Sequence, residues 1–283
     1  MATPGVAAVL AHGGIPPLKV TALGVLTAFA GYTAVYALND LVDYRNDRDR
    51  VRSQRSTETG SHLDAVFVRH PMALGLLSFK AGLAWAAAWA AAALIGAYIL
   101  NPVCAWIFLA ACMLETVYCL MLKVSHLRAV VSGMVKTSGA LAAVFAVDPA
   151  PSWGFLAVLF LWLFFWEIGG QNVPNDLIDL EEDRLLRAKT IPVRLGVNRA
   201  VATIMVSLGL SVGLSLCLPW VAPGGSDYLL AAGISLAGIC LLLIPAHRLH
   251  RQRLPAQAST LFNRASFYPL AVLLTALSSS ILA

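Results

Sequence analysis

Long apolar runs alternate with short polar segments along almost the whole chain. The runs cover approximately residues 20–38, 77–100, 103–122, 127–147, 153–172, 198–219, 228–246 and 265–282. At about 1.5 Å of helical rise per residue, each is long enough to cross, or nearly cross, a hydrocarbon layer of about 30 Å. A ninth run, 3–12, is too short to span. Breakers separate the runs: Gly13, Gly14, Pro16 and Pro17, then Asn101 and Pro102, then Asp148, Pro149 and Pro151, then Pro223, Gly224 and Gly225. The pattern predicts an all-α integral membrane protein, a bundle of eight to nine transmembrane helices forming a single domain over residues 1–283.

Composition sharpens this. Of 283 residues, 59% are hydrophobic and only 12% charged, about half the charged share of a soluble domain. That excludes a disordered chain and an ordinary cytosolic enzyme. The five cysteines (Cys104, Cys112, Cys119, Cys217, Cys240) all fall in apolar runs without a CxxC pair. They read as core or lipid-facing residues, not as a disulfide framework or a zinc site. The N-terminus lacks the basic region of a cleavable signal peptide.

The net charge of +5 is sorted by position. If the segment after run 20–38 is cytosolic and sides alternate from there, the cytosolic segments are 39–76, 123–126, 173–197 and 247–264. All 20 Lys and Arg residues fall in these segments or their flanking helix ends, except Lys19 and Lys136. The positive-inside rule therefore sets the orientation, and no nucleic-acid partner is needed to explain the basic balance.

Two cytosolic helix ends carry the same motif. The first reads NDLVDYRND, Asn39 to Asp47; the second reads NDLIDLEED, Asn175 to Asp183. Asn39, Asp40, Asp43 and Asp47 match Asn175, Asp176, Asp179 and Asp183 in type and spacing. The offset is close to half the chain, which suggests duplicated halves of approximately 1–147 and 148–283. Carboxylates at i, i+3 and i+7 share one helix face over about 10 Å. Two such stripes repel each other unless cations sit between them. Mg2+ suits them, because it binds through a few carboxylates while sharing other positions with water and phosphate oxygens. A polyanionic substrate bridged by metal to both motifs is the natural third party. The matched aspartates of these motifs are six of only 15 acidic residues, too large a share for ordinary solvated helix ends.

With both motifs in view, the chain resembles the UbiA superfamily of intramembrane prenyltransferases. The first motif matches that family's NDxxDxxxD, and Asp176, Asp179 and Asp183 match its second, DxxDxxxD. KTIPVRLG (Lys189 to Gly196) resembles the stretch that follows the second motif, and Tyr118 and Lys123 in YCLMLK resemble a Tyr and Lys pair between the halves. The resemblance implies a nine-helix bundle around a central cavity that opens sideways to lipid. It further implies that both motifs cap the cavity on the cytosolic side and bind Mg2+ and a prenyl pyrophosphate. Two departures are visible. The first family helix is represented only by residues 3–12, and the family's Arg-Pro pair after motif one reads Arg69-His70-Pro71.

The implied reaction is Mg2+-assisted transfer of a prenyl group to an acceptor inside the membrane. Asp40, Asp43, Asp47, Asp176, Asp179 and Asp183 would hold metal. Lys123, Tyr118 and Arg69 would contact the pyrophosphate. Asn39 and Asn175 would orient the first carboxylates or supply a carbonyl oxygen. Arg48, directly after Asp47, is the arginine in its loop best placed to touch substrate. Three ionisable residues lie within runs: Glu115, Lys136 and Glu167. Such residues in a membrane are paired or functional. A Lys136–Glu115 salt bridge is the plain reading; the sharper one is Lys136 facing the cavity to bind an anionic acceptor such as a carboxylate. Glu167 reads as support for the metal site, and Trp162, Phe165 and Trp166 as lipid-facing or channel-lining. An aromatic acceptor, resembling 4-hydroxybenzoate or a quinone precursor, is the default. The alternatives are a glycerophosphate or sugar acceptor and an intramembrane terpene cyclase. An inverted-repeat transporter is disfavoured, because both motifs lie at the same membrane face and not at the midplane.

Overall fold

The structure, a computed structural model, describes residues 1–53, 71–223 and 227–282, with the backbone alone described for 49–53. Within these residues all regular structure is helical. Eight helices are long and apolar enough to cross a membrane, at Leu18–Val42, Phe79–Leu100, Pro102–Leu120, Arg128–Val147, Trp153–Ile178, Val197–Val221, Tyr228–Gln252 and Pro255–Leu282. These are the eight spans the apolar runs predict.

In chain order, a short α1 (Ala2–His12) precedes α2 (Leu18–Val42), α3 (Tyr44–Ser53), α4 (Phe79–Leu100), α5 (Pro102–Leu120) and α6 (Arg128–Val147). α7 (Trp153–Trp166) runs through a π turn, Glu167–Asn172, into α8 (Val173–Ile178), followed by α9 (Leu180–Leu185), α10 (Ile191–Leu195), α11 (Val197–Ser215) and α12 (Leu218–Val221). α13 (Tyr228–Ala237) passes through a second π turn, Gly238–Leu243, into α14 (Ile244–Gln252), and α15 (Pro255–Ser266) and α16 (Tyr268–Leu282) close the bundle.

The sequence breakers act locally. Gly13 adopts a left-handed φ of 70° at the end of α1, a conformation glycine takes without a side-chain clash. Asn101 Oδ1 accepts from the Val103 N–H at 2.9 Å, with Pro102 in the first turn of α5. Ser152 caps α7 and Asp227 caps α13 in the same way. Each π turn is followed two residues later by a proline, Pro174 or Pro245. Proline brings no N–H to the helical ladder, so the preceding turn loosens and rotates.

Packing divides the bundle into a lipid-facing side and a core. Leu18 is 82% exposed and Trp153 85%, as expected where lipid is the solvent. The core runs along α7, α11 and α16. Trp162 is fully buried there, edge-on to Tyr268 at 6.1 Å, so it is a packing residue and lines no channel. Small residues let these helices approach: a Cβ on Gly169 would lie 2.8 Å from Ser207 Cβ. α1 packs on α6 and α16 and closes one side of the central space.

Candidate active site

Both acidic motifs adopt one local geometry. Asn39 and Asp40 lie in the last turns of α2, and Asn175 and Asp176 lie in α8. The helix then breaks at the middle aspartate, Asp43 (φ −85°, ψ 1°) or Asp179 (φ −90°, ψ 13°). A new helix, α3 or α9, starts at the next residue. The expected unbroken stripe is therefore corrected. Each middle aspartate sits in the bridge region of backbone space, its N–H bonded to the carbonyl of Asn39 (2.9 Å) or Asn175 (3.0 Å). Asp47 and Asp183 each return an N–H to the middle aspartate's carbonyl at 2.9 Å. The chain thus turns at its central carboxylate, and the three acids no longer share one straight helix face.

An amide steadies each middle carboxylate. Asn46 donates to Asp43 Oδ1 and Asn175 to Asp179 Oδ2, each at 3.2 Å. Asn39 does something else: its Nδ2 donates to Glu115 Oε1 at 2.6 Å and to Cys119 Sγ at 3.3 Å. Asn39 and Asn175, equivalent in sequence, therefore have different partners. Asp43, Asp47, Asp176 and Asp183 are buried. Burial pushes the Asp43 carboxyl above its ordinary range; the Asn46 amide opposes that shift, Asp47 adds to it, and Arg128 opposes it.

Among the described residues, Arg128 at the start of α6 sets a cation among these acids. Its side chain is buried, and its guanidinium lies 4.1 Å above the Tyr118 ring, within electrostatic reach of Asp176, Asp183 and Asp43. It therefore joins motif one to motif two. By sequence Arg128 was one positive-inside charge among many, and no local motif singles it out. Tyr118, expected at the pyrophosphate, is stacked against Arg128, and its hydroxyl accepts from Asn172 Nδ2 at 3.4 Å. KTIPVRLG docks through a backbone bond from Lys189 N to Leu122 O at 2.8 Å, which ties the second motif to the loop carrying Lys123. Lys123 itself is exposed, with no hydrogen bond or ion pair among the described residues. Arg48 is exposed 5.7 Å from the Tyr44 ring. Arg69 lies outside the described residues.

Two cavities meet inside the bundle. One, of about 490 Å3, is lined almost entirely by apolar side chains of α1, α2, α4, α5 and α6, including Val20, Val25, Ile107 and Phe108. The other, of about 600 Å3, is polar, and Asn39, Asn175 and Tyr118 at its wall connect it to the two motifs. Tyr32, Tyr36 and Lys136 line both. The three intramembrane ionisable residues all face the polar cavity. Lys136 does not bridge Glu115: its Nζ reaches Tyr36 Oη at 3.3 Å and sits 4.5 Å from that ring, while Glu115 is held by Asn39. Glu167 accepts from Ser132 at 3.0 Å. Trp166 lines the polar cavity, its indole N–H bonded to Ala265 O at 2.9 Å.

The sequence profile of the UbiA prenyltransferase family matches residues 1–268. This chain belongs to the UbiA prenyltransferase family. Digeranylgeranylglyceryl phosphate synthase from Thermococcus kodakarensis is 26% identical over 193 residues, 68% of this chain and 62% of that enzyme. The chain therefore matches less than two thirds of that relative's length. A solved UbiA homologue from Aeropyrum pernix superposes with a TM-score of 0.74 at 18% identity, covering 99% of this chain and 96% of that one. A UbiA homologue from Archaeoglobus fulgidus, solved with DMAPP and Mg2+ bound, gives 0.69 at 20% identity, covering 98% and 95%. At these identities the likeness concerns the fold.

The donor set of this UbiA-family chain fits a hard divalent cation. Asp176 is buried and its Oδ2 has no hydrogen-bond partner, and the Oδ1 of Asn175 has none either. Among the described residues, no three acid, His or Cys side chains form a ready-made cage. Mg2+ does not require one, since it keeps water and phosphate oxygens beside one or two carboxylates.

Proposed function

We propose that the chain is a Mg2+-dependent intramembrane prenyltransferase. The observation that carries this is the arrangement of the two matched acidic turns, bridged by Arg128, at the wall of a polar cavity that adjoins an apolar one. The binding of DMAPP or GPP with Mg2+ by Archaeoglobus fulgidus homologues of the same fold supports it.

In this reading Asp40, Asp43, Asp47, Asp176, Asp179 and Asp183 hold the metal, with Asn175 orienting Asp179. Mg2+ held by these carboxylates would supply the charge neutralisation that a pyrophosphate leaving group needs. Arg128 and Lys123 add positive charge near the leaving group, Arg69 and Arg48 from the motif-one side, and Tyr118 holds Arg128 in place. The prenyl tail lies in the apolar cavity, whose dryness protects the allylic cation from water. An aromatic acceptor, like a quinone precursor, occupies the polar cavity between Tyr36, Phe29 and Trp166, beside Lys136. The one-sided distribution of basic residues supports a cytosolic position for the motifs, and the matched turns support a reading of two repeated halves.

A terpene cyclase would use the same acids and the apolar cavity but has no second substrate to place in the polar one. The test is a product assay on purified membranes with geranyl pyrophosphate, with and without Mg2+ and with and without acceptors. Mg2+-dependent pyrophosphate release that needs an acceptor supports transfer; cyclic products from geranyl pyrophosphate alone support cyclisation. Full activity in an Asp43→Ala, Asp179→Ala double variant refutes the site.

A further inference from the structure

The apolar cavity has a length as well as a volume. On α2 its lining runs from Tyr36 back to Val20, 16 residues apart, which is about 24 Å at helical rise. Tyr32 and Tyr36 mark the end shared with the polar cavity, where the Tyr32 hydroxyl is fixed by a hydrogen bond with Thr3 Oγ1 at 3.2 Å. Ile15 and Pro16, in the connection from α1 to α2, line the far end. Between the two ends the wall is built of small residues, among them Ala28 and Gly31 on α2, Ala97 on α4, and Gly139, Ala142 and Ala146 on α6. The volume of about 490 Å3 is therefore drawn out into a slot. Gly24 lines the far half of that slot, and a Cβ placed on it would have nothing within 4 Å. At about 100° per residue the cavity-lining positions of α2 fill about half its circumference, and Gly24 falls well inside that arc. Its missing side chain leaves open space in the slot and not in the surrounding lipid.

We propose that the slot takes a tail of about four isoprene units, the geranylgeranyl class, and that Gly24 is the position that lets the third and fourth units pass. This rests on the prenyl-transfer reading and deepens it by naming the length of the donor. An extended isoprene unit advances by four carbon–carbon bonds, about 5 Å, so four units span about 20 Å. Gly24 lies 8 residues from Tyr32 and 12 from Tyr36, about 12–18 Å along the helix axis. A geranyl tail of about 10 Å that starts at these tyrosines ends short of Gly24, whereas a geranylgeranyl tail must run past it. Lipid is as apolar as the tail, so burial alone gives little preference for one length over another. Shape gives it: a bulky side chain at position 24 obstructs the longer tail and leaves the shorter one untouched.

The experiment is calorimetric binding of geranyl and geranylgeranyl pyrophosphate, each with Mg2+, to the protein in lipid nanodiscs. Wild type should bind the longer ligand at least as tightly as the shorter. Gly24→Phe should weaken geranylgeranyl binding by about tenfold or more and leave geranyl binding within about twofold. Gly24→Leu should do the same to a smaller extent. Comparing variant with wild type for each ligand in the same discs cancels the tail's own affinity for lipid. Ala22→Phe adds bulk at an exposed position of α2 outside the slot and should change neither. Retained geranyl binding shows that a variant is folded. The proposal is overturned if wild type binds geranyl pyrophosphate about tenfold more tightly than geranylgeranyl, if the two ligands weaken alike in both position-24 variants, if neither weakens, or if Ala22→Phe reproduces the selective loss. Failure of wild type to bind either ligand with Mg2+ overturns the prenyl-transfer reading itself, and this proposal with it.

Discussion

Removing the Arg128 guanidinium tests how the two motifs coexist. Arg128→Gln removes a positive charge that Asp43, Asp176 and Asp183, which are 9%, 6% and 3% exposed, share among the described residues. Stranding buried charge by deleting its partner costs about 3–5 kcal/mol, and losing the guanidinium stack 4.1 Å above Tyr118 adds about 0.5–2 kcal/mol. Proton uptake by the carboxylates softens the loss at acid pH, so it is largest at neutral pH. Thermal unfolding in detergent measures it. With chelator at neutral pH the midpoint should fall by on the order of 10 °C, and saturating Mg2+, a counter-charge to the same acids, should recover part of that. Arg128→Lys should fall between, since it keeps the charge but loses the planar stack and fork. A Gln variant within about 1 °C of wild type in chelator refutes the bridging role.

Other expectations are more local. Asp176→Asn should weaken Mg2+ activation by about 10-fold or more, read as the Mg2+ concentration for half-maximal pyrophosphate release. Gly169→Ala forces a Cβ to 2.8 Å from Ser207 Cβ and 3.1 Å from the Ile204 carbonyl. It should cost about 1–3 kcal/mol of stability and lower turnover by disturbing the π turn that contains it. The metal-free protein should lose stability as pH rises from the ordinary carboxylate value of 3.8 through the raised value of Asp43, because the folded state holds that proton more tightly. Mg2+ should stabilise increasingly as pH rises through the same window, since it needs the deprotonated acid; a midpoint series against pH with and without Mg2+ checks both. Asn175→Ala, which frees Asp179 without removing a carboxylate, should raise the Mg2+ requirement less than Asp179→Ala does.

Much of the protein is legible in one dimension because lipid demands it. A span must be about 20 apolar residues of helix, so the eight spans and breakers such as Asn101 and Pro102 stand in the sequence. The acidic motifs stand there too, because six carboxylates in a charge-poor chain have few ordinary explanations. What the sequence could not contain is contact between distant helices. Arg128 looks like any interfacial arginine until α6 carries it beneath both motifs and onto Tyr118. Asn39 and Asn175 are identical by motif, yet one holds Glu115 across α5 and the other holds Asp179 within its own turn. Lys136 and Glu115 look like a pair on spacing, but the packing of α2 puts Tyr36 and Asn39 between them as partners. Helix identity and membrane fit come from local composition, which every residue carries; the partner of a buried charge is set by which helix faces meet, and only the folded bundle decides that.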